Sequence, residues 1–439
     1  MVSWIKEKLK ESEKITIVGA GLTGQAVVEA LAPTGIELFL TDENEVPEKA
    51  ASDIRRAGGE LESGGHSERA LDADLMVVSP GVPTDSELIK TAMSRGISVV
   101  GEIELAYRIS PTDRIVAVTG TNGKTTTVKL ITKLLEYAGE TAVACGNIGT
   151  PFISTVESLT PQDIAVVEVS SYQLETVSEF KPKVGVLTNL EPDHLKRHGC
   201  FESYREAKLN LFREQDEEDF AVINGNLALE LPSPGPERSE FGPVDHPNLD
   251  LSLHQKENFG AAMKAVNCIL PGRELDLPPD KTVKKGLHLP HRLQVVANVN
   301  GVTFVNDSKG TNPAATEAAI DSFPGPIRLL LGGKAKEAGY RSLVNSFSKS
   351  ELTYFHLFGA ASERLARRLE EQGLEKYQEY EKMTDAVRDA FAGARPGETV
   401  LLSPACASFD EFENYRKRGE VFAETIESLI AGRIDDLTT

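Results

Sequence analysis

The chain has 439 residues, with 47 Lys and Arg against 67 Asp and Glu, a formal charge of −20. An apolar fraction of 40% beside 26% charged residues excludes a collagen-like, coiled-coil or wholly disordered polymer. The acidic balance disfavours nonspecific binding to nucleic acid or anionic membrane, and at roughly 150 residues per domain the length allows about three cores.

The opening stretch MVSWIKEKLKESEK alternates charge with isolated apolar residues, which is neither a signal peptide nor an anchor. Short apolar runs then alternate with turns and helical periodicity: ITIVG at 15–19, ELFLTD at 37–42 and DLMVVSPG at 74–81 predict buried parallel strands. Pro111 precedes a fresh strand, RIVAVTG, and marks a first boundary. IAVVEVS at 164–170, VGVLTNL at 184–190 and FAVING at 220–225 continue a second wound sheet. Residues 231–249 carry Pro232, Pro234, Pro236, Pro243 and Pro247 and predict an irregular excursion. Pro290 marks a second boundary, after which VTFVND, IRLLLGG, YFHLFG and TVLLSPA predict a third sheet.

The expected architecture is therefore α/β with three doubly wound domains. Residues 1–110 are Rossmann-like, 111–290 resemble a P-loop ATPase core, and 291–439 are again Rossmann-like. Cys145, Cys200, Cys268 and Cys406 lie far apart with no CxxC pair, which argues against a disulfide framework or zinc ribbon and for a reducing cytoplasm. No run approaches the roughly 18 apolar residues of a spanning helix, so the expectation is a soluble, cytoplasmic protein with no membrane or nucleic-acid partner.

Three motifs carry chemistry. Gly19-Ala20-Gly21-Leu22-Thr23-Gly24 follows a strand and opens a helix, the setting in which backbone amides approach a diphosphate; Asp42, at the end of the next strand, suits ribose hydroxyls. A tight turn that needs glycine only for packing is the alternative. Gly120-Thr121-Asn122-Gly123-Lys124-Thr125-Thr126 is a shortened phosphate loop, GxxGKT. Its amides and helix N-terminus face phosphate oxygens, Lys124 adds a cation, and the Thr125 hydroxyl can ligate Mg²⁺. Glu168 and the pair Asp193-His194 end neighbouring strands, so Glu168 and His194 are expected to face the same metal and phosphates.

The blocks TGTNGKTT, EVSSYQLE, TNLEPDHLKRHG, YREAKLNLF, LPHRLQ, NDSKGTNPAAT and LLSPACASFDEF, in this order, resemble the Mur ligases, within them the D-glutamate-adding branch. The resemblance covers all three domains. It implies ATP-dependent joining of D-glutamate to UDP-N-acetylmuramoyl-L-alanine through an acyl phosphate, in peptidoglycan synthesis, with two Mg²⁺ ions.

Residue by residue, the resemblance makes Lys208 a carbamylated lysine derived from CO₂ that assists the second metal. It sets Asn147 and Ser170, with Gly21, Leu22, Thr23 and Asp42, on the UDP substrate. It gives Asn258, Arg292 and Asp307 to ATP, and Lys309, Thr311, Lys336, Ser408 and Tyr415 to the amino acid, with Lys334 as the alternative to Lys336 in GGKAKEAG. Thr311 as a helix cap and Lys208 as a surface ion-pair partner of Glu206 are the plain structural alternatives.

Two departures stand out: Glu43-Asn44 follows Asp42 where the family has Thr-Arg, and Glu257-Asn258 replaces His-Asn. Cys406 is expected to be a small buried residue. A monomer is expected. The competing functions are a folylpolyglutamate-type or other ATP-dependent amino-acid ligase, and a nicotinamide-dependent oxidoreductase or nucleotide sensor built on the first domain.

Overall fold

The computed structural model describes residues 12–147, 149–273, 275–323, 325–335, 340–347 and 351–438, together with Ile5, Lys8 and Leu9, leaving aside the side chains at 341–342 and 433–438. It falls into two compact units, Met1–Leu287 and His288–Thr439.

The first unit holds two parallel sheets. One comprises β1 (Lys14–Val18), β2 (Glu37–Asp42), β3 (Glu60–Ser63), β4 (Leu75–Val78) and β5 (Ser98–Gly101) in the order β3-β2-β1-β4-β5. The other comprises β6 (Ile115–Thr119), β7 (Ala142–Gly146), β8 (Ile164–Glu168), β9 (Val184–Leu187), β10 (Phe220–Asn224) and β11 (Glu237–Phe241) in the order β11-β10-β9-β6-β8-β7.

Strand alternation sorts the side chains. Ile15 and Ile17 of β1 and Ile115 and Ala117 of β6 face one continuous apolar core that runs between the sheets. Val18, Met76 and Val78 pack outward beneath the helix Glu87–Ser94. Val116 and Val118 pack against Val128, Leu130, Ile131, Leu134 and Leu135 of the helix Lys124–Tyr137, whose buried positions recur at helical spacing. Glu104, fully buried, accepts the amides of Ser178, Glu179 and Phe180 at 2.9, 3.0 and 3.0 Å and pairs with Arg108 at 2.8 Å, a second tie between the sheets.

The second unit has one sheet: β12 (Gln294–Val299), β13 (Val302–Asn306), β14 (Ile327–Gly332), β15 (Leu352–Phe358), β16 (Tyr377–Tyr380) and β17 (Thr399–Ala405), in the order β12-β13-β17-β14-β15-β16. β12 runs antiparallel to β13, and the other pairs are parallel. No helix among the described residues is long and apolar enough to cross a membrane.

The eleven apolar runs predicted as strands all form strands. The excursion at 231–249 needs correction, because β11 lies inside it, parallel to β10. Its prolines fall outside Glu237–Phe241, and an edge strand needs donors on one side only. β3 and β16 were missed for a related reason: edge segments such as ELES and YQEY carry no continuous apolar run.

In the second unit His356 on β15 is buried at 0% exposure, its Nδ1 3.3 Å from Asp389 Oδ2 and 3.4 Å from the Tyr380 hydroxyl, with Arg328 and Glu398 nearby. Burial pushes its pKa down to about 4, outweighing the Asp389 carboxylate. The unfolded chain, with histidine near 6.5, therefore takes up the proton first as pH falls. Stability is expected to drop between pH ~6.5 and ~4 by about 3 kcal/mol from this residue. Chemical melts of wild type and His356→Phe across that window check it: the variant should lose correspondingly less, and parallel curves would contradict the assignment.

Candidate active site

The phosphate loop leaves β6 at the centre of its sheet. Val118 lies opposite Glu168 on β8 and Thr119 opposite Leu187 on β9, so three carboxyl ends meet at the loop. Gly123 sits at φ +83° ahead of the helix Lys124–Tyr137, and an added Cβ would come within 2.3 Å of Asn258 Oδ1. A side chain there is excluded by both conformation and space. The Asn258 oxygen also accepts the Thr127 hydroxyl at 3.3 Å, which binds the helix Leu253–Ile269 to the loop.

The loop is held from outside by side chains rather than by its own ladder. Asn122 N donates to Asn189 Oδ1 at 2.8 Å and Asn122 Nδ2 to Glu191 Oε2 at 3.0 Å, while Asn122 O accepts Thr188 Oγ1 at 2.6 Å. Thr121 Oγ1 meets the Tyr204 hydroxyl at 3.0 Å and accepts Glu191 N at 2.9 Å. Thr126 is buried on the first turn of the helix.

Lys124 folds back over the loop, its Nζ 2.8 Å from Gly120 O and 2.9 Å from Thr121 O. Thr125 Oγ1 donates to Glu168 Oε2 at 2.7 Å, and Asn147 Nδ2 donates to Glu168 Oε1 at 2.8 Å. Glu168 is 3% exposed, so its carboxylate depends on these partners.

Lys208, on the helix Phe201–Leu209, is 1% exposed, which removes the surface ion pair with Glu206 as its role. Its Nζ donates to Gly120 O at 2.8 Å and lies 4.6 Å from the Tyr204 ring centroid. Burial, reinforced by the Lys124 charge, holds its pKa well below the usual lysine value, against Asp193 and Glu168. The neutral amine is thereby favoured relative to an exposed lysine.

His194 occupies the left-handed region at φ 56° and caps the short helix Leu195–His198. Its Nδ1 lies 2.9 Å from the Tyr172 hydroxyl and its Nε2 3.6 Å from Asp193 Oδ2. Ser170 caps the helix Ser171–Leu174 in a capping box with Gln173. Glu191, Tyr204 and Tyr172 were not singled out from sequence, and Asp193 was named only as the neighbour of His194. A lone acidic or aromatic residue carries no signal of its own, although all four stand inside the quoted blocks.

At the first sheet Asp42 Oδ2 accepts Ala20 N at 2.8 Å and Oδ1 accepts Asn44 N at 2.9 Å, so the carboxylate braces the glycine turn. A Cβ on Gly24 would lie 2.0 Å from Gly19 O, which explains that glycine by close approach. Gly21 caps the helix Leu22–Leu31, Leu22 is 81% exposed, and Thr23 is half-buried beside it.

In the second unit Arg292 pairs with Asp307 at 3.8 Å, and Asp307 Oδ2 accepts Ser403 Oγ at 2.8 Å. Burial raises the Asp307 pKa, opposed by Arg292 and Ser403. Lys309 Nζ stands 5.6 Å from the Tyr415 ring centroid. Asn312, not Thr311, caps the helix Pro313–Asp321, accepting Ala315 N at 2.8 Å, because an Asx oxygen at that position reaches the third amide. Ser408 is 2% exposed, and Lys334 is paired through its backbone to Ala407. Lys336 lies outside the described residues.

Arg418 was missed. Fully buried, it donates to the carbonyls of Ser308, Cys406 and Ala407 at 2.9, 3.1 and 3.2 Å, and burial lowers its pKa to about 10. Cys406 is buried, as expected.

The arrangement around Thr125 offers hydroxyl and carboxylate oxygens, a hard donor set of the kind Mg²⁺ takes together with phosphate oxygens and water. Among the described residues no three His, Cys, Asp or Glu side chains converge as a metal cluster. The arrangement offers a helix N-terminus, suited to phosphate, beside a buried carboxylate and a buried amine.

Family models match the chain at residues 13–101 (Mur ligase MurD-like, N-terminal domain), 118–231 (Mur ligase middle domain) and 291–406 (Mur ligase, glutamate ligase domain). The UDP-N-acetylmuramoylalanine--D-glutamate ligase of Pelotomaculum thermopropionicum is 38% identical, over 96% of this chain and 98% of its own. That of Caldicellulosiruptor saccharolyticus is 35% identical, over 95% and 99%. Among solved structures, MurF ligase from Thermotoga maritima in complex with ADP aligns with a TM-score of 0.60 at 18% identity, covering 90% of this chain and 96% of that one. UDP-N-acetylmuramate-alanine ligase MurC from the same organism aligns at 0.56 and 17%, covering 94% and 99%. At such identities the structures speak to the fold.

Proposed function

The chain belongs to the Mur ligase family, and on that premise we propose how its residues divide the work of an ATP-dependent ligase that adds D-glutamate to UDP-N-acetylmuramoyl-L-alanine in peptidoglycan synthesis. Residues 1–110 take the UDP substrate, 111–290 take ATP, and 291–439 take the amino acid. The protein acts as a cytoplasmic monomer.

The observation that carries the reading is the Thr125–Glu168 contact at the head of the phosphate-loop helix, with Lys124 beside it. Lys124 releases the loop carbonyls to meet the triphosphate, assisted by the amides of Gly120, Thr121, Asn122, Gly123 and Thr126, and Asn258 supports the nucleotide side. Thr125, Glu168, His194 and carbamylated Lys208 hold two Mg²⁺ ions. Bound there, Mg²⁺ neutralises charge on the transferring phosphoryl group.

The UDP substrate lies along Gly21, Leu22, Thr23 and Asp42, with Asn147 and Ser170 at its reacting end. Its carboxylate takes the γ-phosphoryl group and ADP leaves. The amine of D-glutamate then attacks the acyl carbon, the new C–N bond replaces the C–O bond to phosphate, and a proton is released. Arg292 and Asp307 serve the nucleotide. Lys309, Thr311, Lys336, Ser408 and Tyr415 serve D-glutamate, whose two carboxylates call for several cationic and neutral donors.

Phosphate release in a complete mixture of UDP-N-acetylmuramoyl-L-alanine, D-glutamate, ATP and Mg²⁺ is expected to fall to background when any component is omitted. L-glutamate, L-alanine or L-lysine in place of D-glutamate should restore little of it. Release independent of the amino acid would defeat the reading; preference for another amino acid would move the chain to a sibling ligase.

A further inference from the structure

The imidazole of His194 is gripped by a side chain to which the assigned roles give no part. Tyr172, on the helix Ser171–Leu174, sets its hydroxyl 2.9 Å from His194 Nδ1, and the two rings lie 5.0 Å apart between centroids. Tyr172 is itself fixed from two other directions: His198 stacks on it at 5.6 Å, and the Arg197 guanidinium carbon lies 5.4 Å from the ring centroid. Arg197 in turn donates to Glu175 Oε2 at 2.7 Å and to Val82 O at 2.8 Å, in the loop that follows β4. His198 is pinned by Ser171 Oγ at 3.0 Å and Glu175 Oε1 at 3.3 Å.

A histidine that gives its Nε2 lone pair to a cation must carry the proton on Nδ1, and that N–H needs an acceptor which also sets the plane of the ring. A phenol oxygen can accept as well as donate. We infer that Tyr172 is a positioning residue for His194: its oxygen accepts the hydrogen bond from Nδ1–H, holds the ring in the tautomer that is unprotonated at Nε2, and leaves Nε2 on the side where Asp193 Oδ2 stands 3.6 Å away, so that a cation there would be shared with that carboxylate. The inference rests on the reading of His194 as a metal-side residue. Through Arg197 and Val82 the same grip reaches the sheet that carries the glycine turn, so the orientation of His194 is referred to the UDP-substrate half of the unit.

Tyr172→Phe keeps the ring and deletes one oxygen. With a nonhydrolysable ATP analogue and the UDP substrate present, Mn²⁺ titration followed by electron paramagnetic resonance is expected to show roughly tenfold weaker binding than wild type, the low end for loss of a partner behind a ligand. The thermal midpoint and KM for D-glutamate should stay unchanged while kcat falls. Mn²⁺ affinity within twofold of wild type overturns the inference, as does a loss of affinity accompanied by a fall in thermal midpoint, which would mark a packing effect. His194→Ala separates the two levels. If it weakens Mn²⁺ binding while Tyr172→Phe does not, only the positioning role fails; if it leaves Mn²⁺ binding intact, the reading of His194 fails and takes the inference with it.

Discussion

Replacing Lys208 with alanine is expected to lower turnover by about 100-fold or more, with a far smaller effect on folding. An amine captures CO₂ only when neutral, and burial beside Lys124 favours that form at Lys208. In the proposed carbamylation its nitrogen would form the bond to carbon, one N–H proton would leave to solvent, and a carbamate anion would remain. A buried amine would thereby become an anion suited to a second Mg²⁺. Short-chain carboxylic acids should partly restore the variant by supplying the lost anion, and CO₂-depleted buffer should depress wild type until bicarbonate is added. Unchanged turnover in the variant would remove Lys208 from the mechanism.

Lys124→Met is expected to cost about 10²- to 10³-fold in kcat/KM for ATP, the usual price of one donor at a developing charge. Its ammonium now rests on Gly120 O and Thr121 O, two neutral acceptors that a triphosphate oxygen outbids. Methionine retains the length and loses the charge, so the loop, clamped by Asn189, Thr188 and Glu191, should persist. Calorimetry should show weakened ATP binding and unaltered affinity for the UDP substrate. A variant within tenfold of wild type would place the phosphates elsewhere.

Interior strands of the wound sheets were legible because burial on both faces writes them as continuous apolar runs; β1, β6 and β8 are examples. Edge strands were not, since β3 and β11 bury one face at most and read as mixed polar segments. The phosphate loop was legible because glycine, lysine and threonine are each required at fixed offsets by backbone geometry and charge. Strand ends placed Glu168 and His194 toward the loop, and the motif gave Thr125 a metal-side hydroxyl; of these the structure brings Thr125 and Glu168 together, at 2.7 Å.

What escaped was support at long sequence separation. Tyr172 behind His194, Tyr204 behind Thr121 and Arg418 under three carbonyls act through partners that no local pattern announces. Asp42 shows the converse: a position that suits a ribose ligand also serves its own turn, accepting Ala20 N. Asn312 shows how adjacent polar residues compete for one capping position.

The apolar core shared by the first two sheets has a consequence for substitution. Because Ile17 and Ala117 belong to the same packed interior, a change of side-chain volume beneath the glycine turn presses on the floor of the phosphate loop as well, and paired variants on the two sheets are expected to depart from additivity in their stability.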